Sequence, residues 1–324
     1  MKVLVTGGAG YVGSVVARLL VDAGHEVVVL DDLSRNDDSQ VPVGARFVRA
    51  RIHDAASVLT PDAGFDAVFH FAGLISAGES MSHPELHWEN NTIGSLALLA
   101  AMREAGVKRL VFSSTAATYG EPSELPLTEH AVTKPVNTYG ATKLAVDMAI
   151  ASEAHAHDLA AISLRYFNVA GALVLPDGSM IGERHDPETH LIPIALEVAA
   201  GRREKLAVFG DDYPTPDGTC IRDYIHVGDL AQAHLLALDA ARPGEHRIYN
   251  LGNGNGFSCM QVVEAVREVT GHPLPVEIAP RRPGDPAELV ASSARAQAEL
   301  GWTPEKTDLR DIVADAWTFF RSGR

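Results

Sequence analysis

Apolar positions along the chain fall into two patterns, short β-branched bursts and longer stretches with one apolar face. The first burst, KVLVT, runs into a glycine-rich turn, and YVGSVVARLLVDAG then repeats its apolar residues on one face up to Gly24. The spacing predicts a strand, a turn and a helix. HEVVVLDDL follows as a second buried strand, and RFVRA, FDAVFHFAG, KRLVFSS, AAISLRYFN and, much later, HRIYNLGNG are further strand-like runs. Helical stretches such as NTIGSLALLAAMREAG and KLAVDMAIASEAHAH separate most of them. Such alternation predicts an α/β fold with a doubly wound parallel sheet, whose ligands lie at the carboxyl ends of the strands.

The first turn carries chemistry as well as shape. Gly7, Gly10 and Gly13 sit between a strand and a helix. Glycines there allow a tight turn and let the free N–H groups of a helix start meet a pyrophosphate, as in a Rossmann βαβ unit. Asp31 closes the second strand, where an acid accepts hydrogen bonds from the adenosine ribose and repels a 2′-phosphate, favouring NAD over NADP. A glycine-rich loop alone is weak evidence; its place between strand and helix, with the acid beyond, makes it strong.

A second constellation is YGATK. The chain holds only six lysines, and Lys143 stands four residues after Tyr139 at the head of an Ala-rich segment. On a helix the two side chains share one face, so the ammonium is expected to favour the phenolate and bring the phenol, ordinarily near pH 10, toward use as an acid or base. The plain alternative is a turn tyrosine beside an exposed lysine. Context decides: SSTAATYG follows the strand through Phe112, and YFNVAGA follows the strand through Leu164. The helix near Tyr139 lies between these strands, so Thr115 and Tyr139 are expected at one crevice.

Composition narrows the setting. With 324 residues, 46% of them hydrophobic, and a mean hydropathy of +0.01, the chain can bury a large core. A formal charge of −15 argues against nucleic acid or an anionic membrane as partner. Cys220 and Cys259 have no metal-ligand spacing, structural disulfides are not expected, and a reducing cytoplasm fits. The start is too short in apolar residues for a signal peptide, and no run is long enough to span a membrane. Among 14 histidines there is no H-x-x-x-H pair on a helix, so they are read as mostly surface or capping residues and no metal is expected.

TGGAGYVGS, FAGLISAGES, ENNTIGS, SSTAATYGE, YGATK, RYFNVAGA, GDDYPTPDGTCIRDYIHVGDLA, YNLGNG and APRRPGD occur in order from end to end. The sequence resembles the UDP-glucose 4-epimerases, extended members of the short-chain dehydrogenase/reductase family. The resemblance implies an isomerase of galactose metabolism that uses NAD and interconverts UDP-galactose and UDP-glucose through a transient 4-keto sugar. It assigns Tyr139 as acid/base, Lys143 as its electrostatic partner and ribose ligand, and Thr115 as the hydroxyl that relays the sugar's proton. It places cofactor contacts at Gly7, Gly10, Tyr11, Val12, Gly13, Asp31, Asp32, Leu33, Ile52, Phe71, Ala72, Gly73, Asn90, Tyr139, Lys143 and Phe167. Substrate contacts fall on Thr115, Asn168, Ala207, Phe209, Arg222, Arg282, Asp285 and Leu289, the arginines suiting a diphosphate through their forked donors.

The resemblance also implies a homodimer built from the helices near Asn91 and Tyr139. Residues 1–170, with a return segment at about 225–252, make the NAD-binding domain, and 171–324 a smaller, discontinuous α/β lobe for the UDP-sugar. Four departures stand out. Leu74 and Ile75 occupy a loop where relatives carry a lysine, Arg51 replaces an acid near the adenine, Thr115 replaces serine, and Leu289 bounds the sugar pocket. Other UDP-sugars, such as a UDP-N-acetylhexosamine or a UDP-pentose, are alternative substrates. A 4,6-dehydratase would need an Asp-Glu pair where Ala116 and Ala117 follow Thr115. A non-catalytic NAD-responsive binder would not need Tyr139, Lys143 and Thr115 together.

Overall fold

The computed structural model describes every residue except Ser123, Asp186, Pro283, Gly284 and Arg324. The first βαβ unit is as its pattern predicts: β1 (Lys2–Thr6), α1 (Tyr11–Asp22) and β2 (Glu26–Asp31), followed by β3 (Arg46–Arg49) and β4 (Ala67–His70). Short helices α2 (Ala77–Ser82) and α3 (Pro84–His87) lead through a π-helical turn, Trp88–Ile93, into α4 (Gly94–Ala105). Then come β5 (Arg109–Thr115), α5 (Thr138–His157) and β6 (Ala160–Tyr166). Asn137 starts α5 by accepting from the Gly140 N–H at 2.8 Å, and Asp158 ends it in the left-handed region at φ 57°.

Beyond Phe167 the strands shorten. β7 (Asn168–Ala170), β8 (Ala172–Val174) and β9 (Met180–Gly182) precede α6 (Leu191–Ala199), β10 (Leu206–Phe209) and β11 (Ile221–His226). α7 (Val227–Ala240) and β12 (His246–Leu251) follow, then β13 (Gly256–Ser258), α8 (Cys259–Thr270), β14 (Val276–Ala279), β15 (Glu288–Leu289), α9 (Ala294–Leu300) and α10 (Leu309–Arg321).

Seven strands form one parallel sheet in the order β12, β6, β5, β4, β1, β2, β3. Alternate residues of each strand face opposite ways, so Val3, Val5, Val27 and Val29 join α1 and α7 in one core, while Leu4, Val28 and Leu30 join α4 and α5 in another. The strand order reverses between β1 and β4, which opens the crevice at their carboxyl ends.

β12 and α7 return the chain to this first layer from the middle of its second half; Ala296, Leu300 and Trp302 also join the α1–α7 core. A separate core packs α6, α8 and α10 against β10 and Tyr224. β10 pairs with β14, and β11 is flanked by β13, β15 and β7. No helix among the described residues is long and apolar enough to cross a membrane.

Candidate active site

The glycine turn is built by contacts that no larger residue could make. Gly7 has φ +69° and a Cβ there would lie 2.5 Å from the Ala72 nitrogen; a Cβ on Gly13 would lie 2.2 Å from the Gly7 carbonyl oxygen. The turn is therefore pressed against Phe71–Gly73 at the end of β4. Gly10 heads α1 with no side chain capping the first turn, leaving its N–H groups for an anion. The Asp31 carboxylate accepts from the Ala9 N–H at 3.1 Å and the Leu33 N–H at 2.9 Å, and burial pushes its carboxyl up against those bonds. Leu33 itself turns the chain at φ 59°, and Asp32 caps the bend by accepting from the Ser34 N–H. An acid fixed over a glycine turn beside an uncapped helix start fits a dinucleotide's ribose and pyrophosphate.

Other expected cofactor residues take supporting places. The Tyr11 hydroxyl donates to the Gly171 carbonyl at 2.7 Å, tying the turn to the second lobe; burial raises its phenol, as do Glu183, Glu188 and Asp315 nearby. Ile52 belongs to the core beside α4, and Val12 and Phe71 pack against the α1–α7 core, the Phe71 ring 4.9 Å from that of His234. Phe167 packs with Ala116, Tyr119, Leu127 and Leu289. Ile75 is exposed and Arg51 stands outside the core at the start of a 3-10 turn.

At the other wall, β5 runs three residues beyond the expected Phe112 and ends on Thr115, whose hydroxyl accepts from the Ala117 N–H at 3.1 Å. The first turn of α5 brings the phenol of the half-buried Tyr139 to this hydroxyl. One turn on, the Lys143 ammonium donates to the Ser113 carbonyl at 2.9 Å and lies 4.8 Å over the Phe112 ring. A Cβ on Gly73 would be 3.6 Å from that ammonium, so the β4 loop, β5 and α5 meet at one point.

The electrostatics correct one expectation. Burial raises the Tyr139 phenol above its ordinary 10, and the Thr115 hydroxyl only partly offsets this, so Lys143 alone does not make the residue a base. The reason is that the ammonium is buried too: desolvation pushes Lys143 from 10.5 down to about 8, against the pull of Asp147. Asp147, one further turn along α5, pairs with Arg165 at 2.8 Å and accepts from the Ser114 hydroxyl at 3.1 Å. This buried pair beneath the lysine is not apparent from the sequence. Neither is Tyr166, whose hydroxyl meets that of Ser113 and whose buried phenol is also raised by Tyr139.

Asn90, expected at the cofactor, is half-buried. Its amide donates to the Leu86 carbonyl at 2.8 Å on its own helix. The neighbouring Asn91 is the one that reaches the crevice: it accepts from the Leu74 N–H at 2.7 Å and donates to the Leu74 carbonyl and to the Thr142 hydroxyl. The π-helical turn through both residues shifts the helical register and decides which asparagine faces inward.

Besides Thr115 on β5, the expected substrate residues come from four strands and one loop. Asn168 opens β7 and donates to the Asp223 carbonyl at 3.2 Å. Ala207 and Phe209 share one face of β10, and the Arg282 guanidinium lies 3.9 Å over the Phe209 ring. Arg222 on β11 is paired with Asp285 and stands opposite Leu289 in the ladder to β15. Leu289 and Phe167 share a cluster with Ala116, the residue after Thr115, which joins this wall to the Tyr139 site. Ala116 and Ala117 leave no carboxylate directly after Thr115. In the APRRPGD stretch, Pro283 and Gly284 lie outside the described residues. Cys220 and Cys259, far apart in sequence, place their sulfurs 3.4 Å apart as free thiols where the β11–β13 ladder ends.

A model of the NAD dependent epimerase/dehydratase family matches residues 3–252. The chain is similar to the UDP-glucose 4-epimerase of Corynebacterium glutamicum, with 57% identity over 98% of this chain and 95% of that protein. It is similar to the UDP-glucose 4-epimerase of Streptomyces lividans at 59% identity, covering 99% and 96% of the two chains. Among solved structures, UDP-glucose 4-epimerase from Brucella ovis in complex with NAD superposes with a TM-score of 0.93 at 44% identity, covering 98% of each chain.

Proposed function

The chain belongs to the NAD-dependent epimerase/dehydratase family, and from that premise we infer that it is an isomerase that interconverts UDP-galactose and UDP-glucose with NAD as cofactor. The observation that carries this reading is the meeting of Tyr139, Thr115 and Lys143 at the carboxyl end of β5, facing the glycine turn across Gly73.

NAD, when bound, accepts a hydride from C4 of the sugar and returns it to the opposite face. The chain's own residues move the proton and hold the pieces. Tyr139 takes the proton of the 4-hydroxyl and later gives it back, with Thr115 positioned to pass it on. Tyr139 must lose its own proton for this, and the Thr115 hydroxyl already favours the phenolate. Lys143 adds a positive charge at the ribose side. The N–H groups of Tyr11 and Val12, at the uncapped start of α1, would hold the pyrophosphate, and Asp31 would take the ribose hydroxyls. Asn91 keeps the Leu74 loop in place.

Arg222 and Arg282 take the diphosphate of the UDP-sugar, while Asn168, Ala207, Phe209 and Asp285 hold its nucleotide end. Leu289 borders the sugar and disfavours a bulky N-acetyl group at C2. On this reading residues 1–170 with about 225–252 are the NAD-binding unit, and the remainder of 171–324 covers the UDP-sugar.

The reading extends to a homodimer in the cytoplasm. Trp88, Ile93, Leu96 and Met148 lie on the α4 and α5 side of the molecule and are 41–66% exposed. That is an apolar face of the kind that closes into a four-helix interface. Proton NMR of UDP-galactose incubated with the purified protein, with and without added NAD⁺, tests the function. The anomeric signal of UDP-glucose supports it; absence of conversion in both tubes sinks it, and conversion only with added NAD⁺ marks loose retention of the cofactor.

A further inference from the structure

Between β9, whose Ile181 joins the α1–α7 core, and α6, which packs in the separate core with α8 and α10, four side chains converge. Glu183 Oε1 lies 2.8 Å from Nδ1 of His185 and 2.7 Å from Nδ1 of His190. The same Nδ1 of His190 is 3.2 Å from Glu188 Oε1. One ligand-type atom from each of the four residues falls within 4.8 Å of all the others.

Hydrogen bonding alone leaves this cluster incomplete. The Glu188 side chain is 1% exposed; its Oε1 accepts from the backbone N–H groups of Thr189 at 2.7 Å and His190 at 2.8 Å, whereas its Oε2 is buried with no hydrogen-bond partner. Two largely buried carboxylates stand in a space that water scarcely reaches, and a proton on the His190 imidazole between them offsets one of the two negative charges, leaving the second. A divalent cation in place of that proton balances both.

We propose that Glu183, His185, Glu188 and His190 form a structural site for a divalent transition metal of the zinc type. Two imidazole nitrogens and two carboxylates match the zinc ligand set, whereas calcium and magnesium favour oxygen alone. Tetrahedral ligands at about 2.1 Å from a metal lie about 3.4 Å from one another, within the span of the present distances. Sequence spacing did not reveal the site because the ligands lie on a loop rather than one helix turn apart.

The surroundings give the metal its role. The Gly182 N–H donates to Gln40 at 3.0 Å and Arg184 donates to Ser39 at 2.7 Å, so the stretch rests on the loop after β2. Tyr11 of the glycine turn feels both Glu183 and Glu188. A metal here fastens the link between the two cores and braces the cofactor turn, with no ligand shared with Tyr139, Thr115 or Lys143.

The test uses the full-length protein without a histidine tag, stripped with a chelator, dialysed against Zn²⁺ and analysed by mass spectrometry for metal content. Thermal unfolding is followed with and without Zn²⁺, and Co²⁺ is titrated by visible absorption. The site predicts one zinc per chain, a Zn²⁺-dependent rise in melting temperature, and a tetrahedral Co²⁺ spectrum. His185→Ala with His190→Ala, or the isosteric Glu188→Gln should the double variant not fold, weakens binding at least about tenfold and abolishes the thermal shift. Less than a tenth of a zinc per chain, full zinc content untouched by these variants, or no thermal response overturns the proposal.

Discussion

The two walls of the crevice are made differently. On the side read as the cofactor's, backbone packs on backbone, Gly7 against Ala72 and Gly13 against Gly7, and the Asp31 carboxylate accepts from the N–H groups of Ala9 and Leu33. On the side proposed for the substrate, side chains meet side chains: Arg222 with Asp285, and Arg282 with Phe209. The first wall has one shape and tolerates little change. The second is assembled from segments far apart in sequence and can exchange its internal partners for those of a ligand. That difference suits a reaction in which the dinucleotide stays fixed while a keto sugar presents first one face and then the other.

The largest expected effect lies where the walls meet. Tyr139→Phe should lower turnover by about 10²- to 10⁴-fold while NAD binding persists; undiminished turnover would remove Tyr139 from the chemistry. Next comes the rigid wall. Gly13→Ala puts a methyl 2.2 Å from the Gly7 oxygen, and NAD affinity measured by fluorescence titration should drop by at least about a hundredfold, or about 2.7 kcal/mol. If affinity holds, the turn is more pliant than its contacts imply.

Lys143 joins the walls and leaves a pH signature. Burial holds it at about 8 rather than 10.5, so between these values the unfolded chain binds more protons and stability rises with pH. In urea unfolding of the NAD-free protein, wild type should gain up to roughly 3 kcal/mol relative to Lys143→Met across that window. A constant difference between the two would contradict a buried ammonium.

Arg222→Ala probes the adjustable wall. Loss of a charge-assisted hydrogen bond, about 1.5–3 kcal/mol, should raise KM for the UDP-sugar roughly ten- to hundredfold with a smaller effect on kcat. An unchanged KM would take Arg222 out of the nucleotide grip. The smallest effect is expected from Ile75→Lys at the exposed end of the β4 loop. It should slow NAD release a few-fold, read by cofactor retained after gel filtration, because one added cation near the dinucleotide contributes about 1 kcal/mol or less.

The same contrast explains what the sequence made legible. The parallel sheet, the glycine turn, Asp31 and the Tyr139–Lys143 spacing are local patterns, and all seven sheet strands fall where their apolar runs lie. Strand ends were less legible, since β5 is extended to Thr115 by pairing with β6 rather than by its own residue types. Asn90 and Asn91 are chemically identical neighbours, and the π-helical turn decides which hydrogen-bond partners each takes. The Asp147–Arg165 pair, the facing thiols of Cys220 and Cys259, and the link from Leu289 to Ala116 depend on tertiary packing between distant segments. The departure at Ile75 was readable as a missing charge, while the depressed lysine and raised tyrosine follow from burial that no spacing encodes.

The central claim is that hydride leaves and returns within one site while Tyr139 handles the proton. UDP-galactose deuterated at C4, incubated with the purified protein and followed by proton and deuterium NMR, tests it most directly. The account predicts UDP-glucose that keeps its deuterium at C4. UDP-glucose with protium at C4, or no UDP-glucose at all, would contradict it.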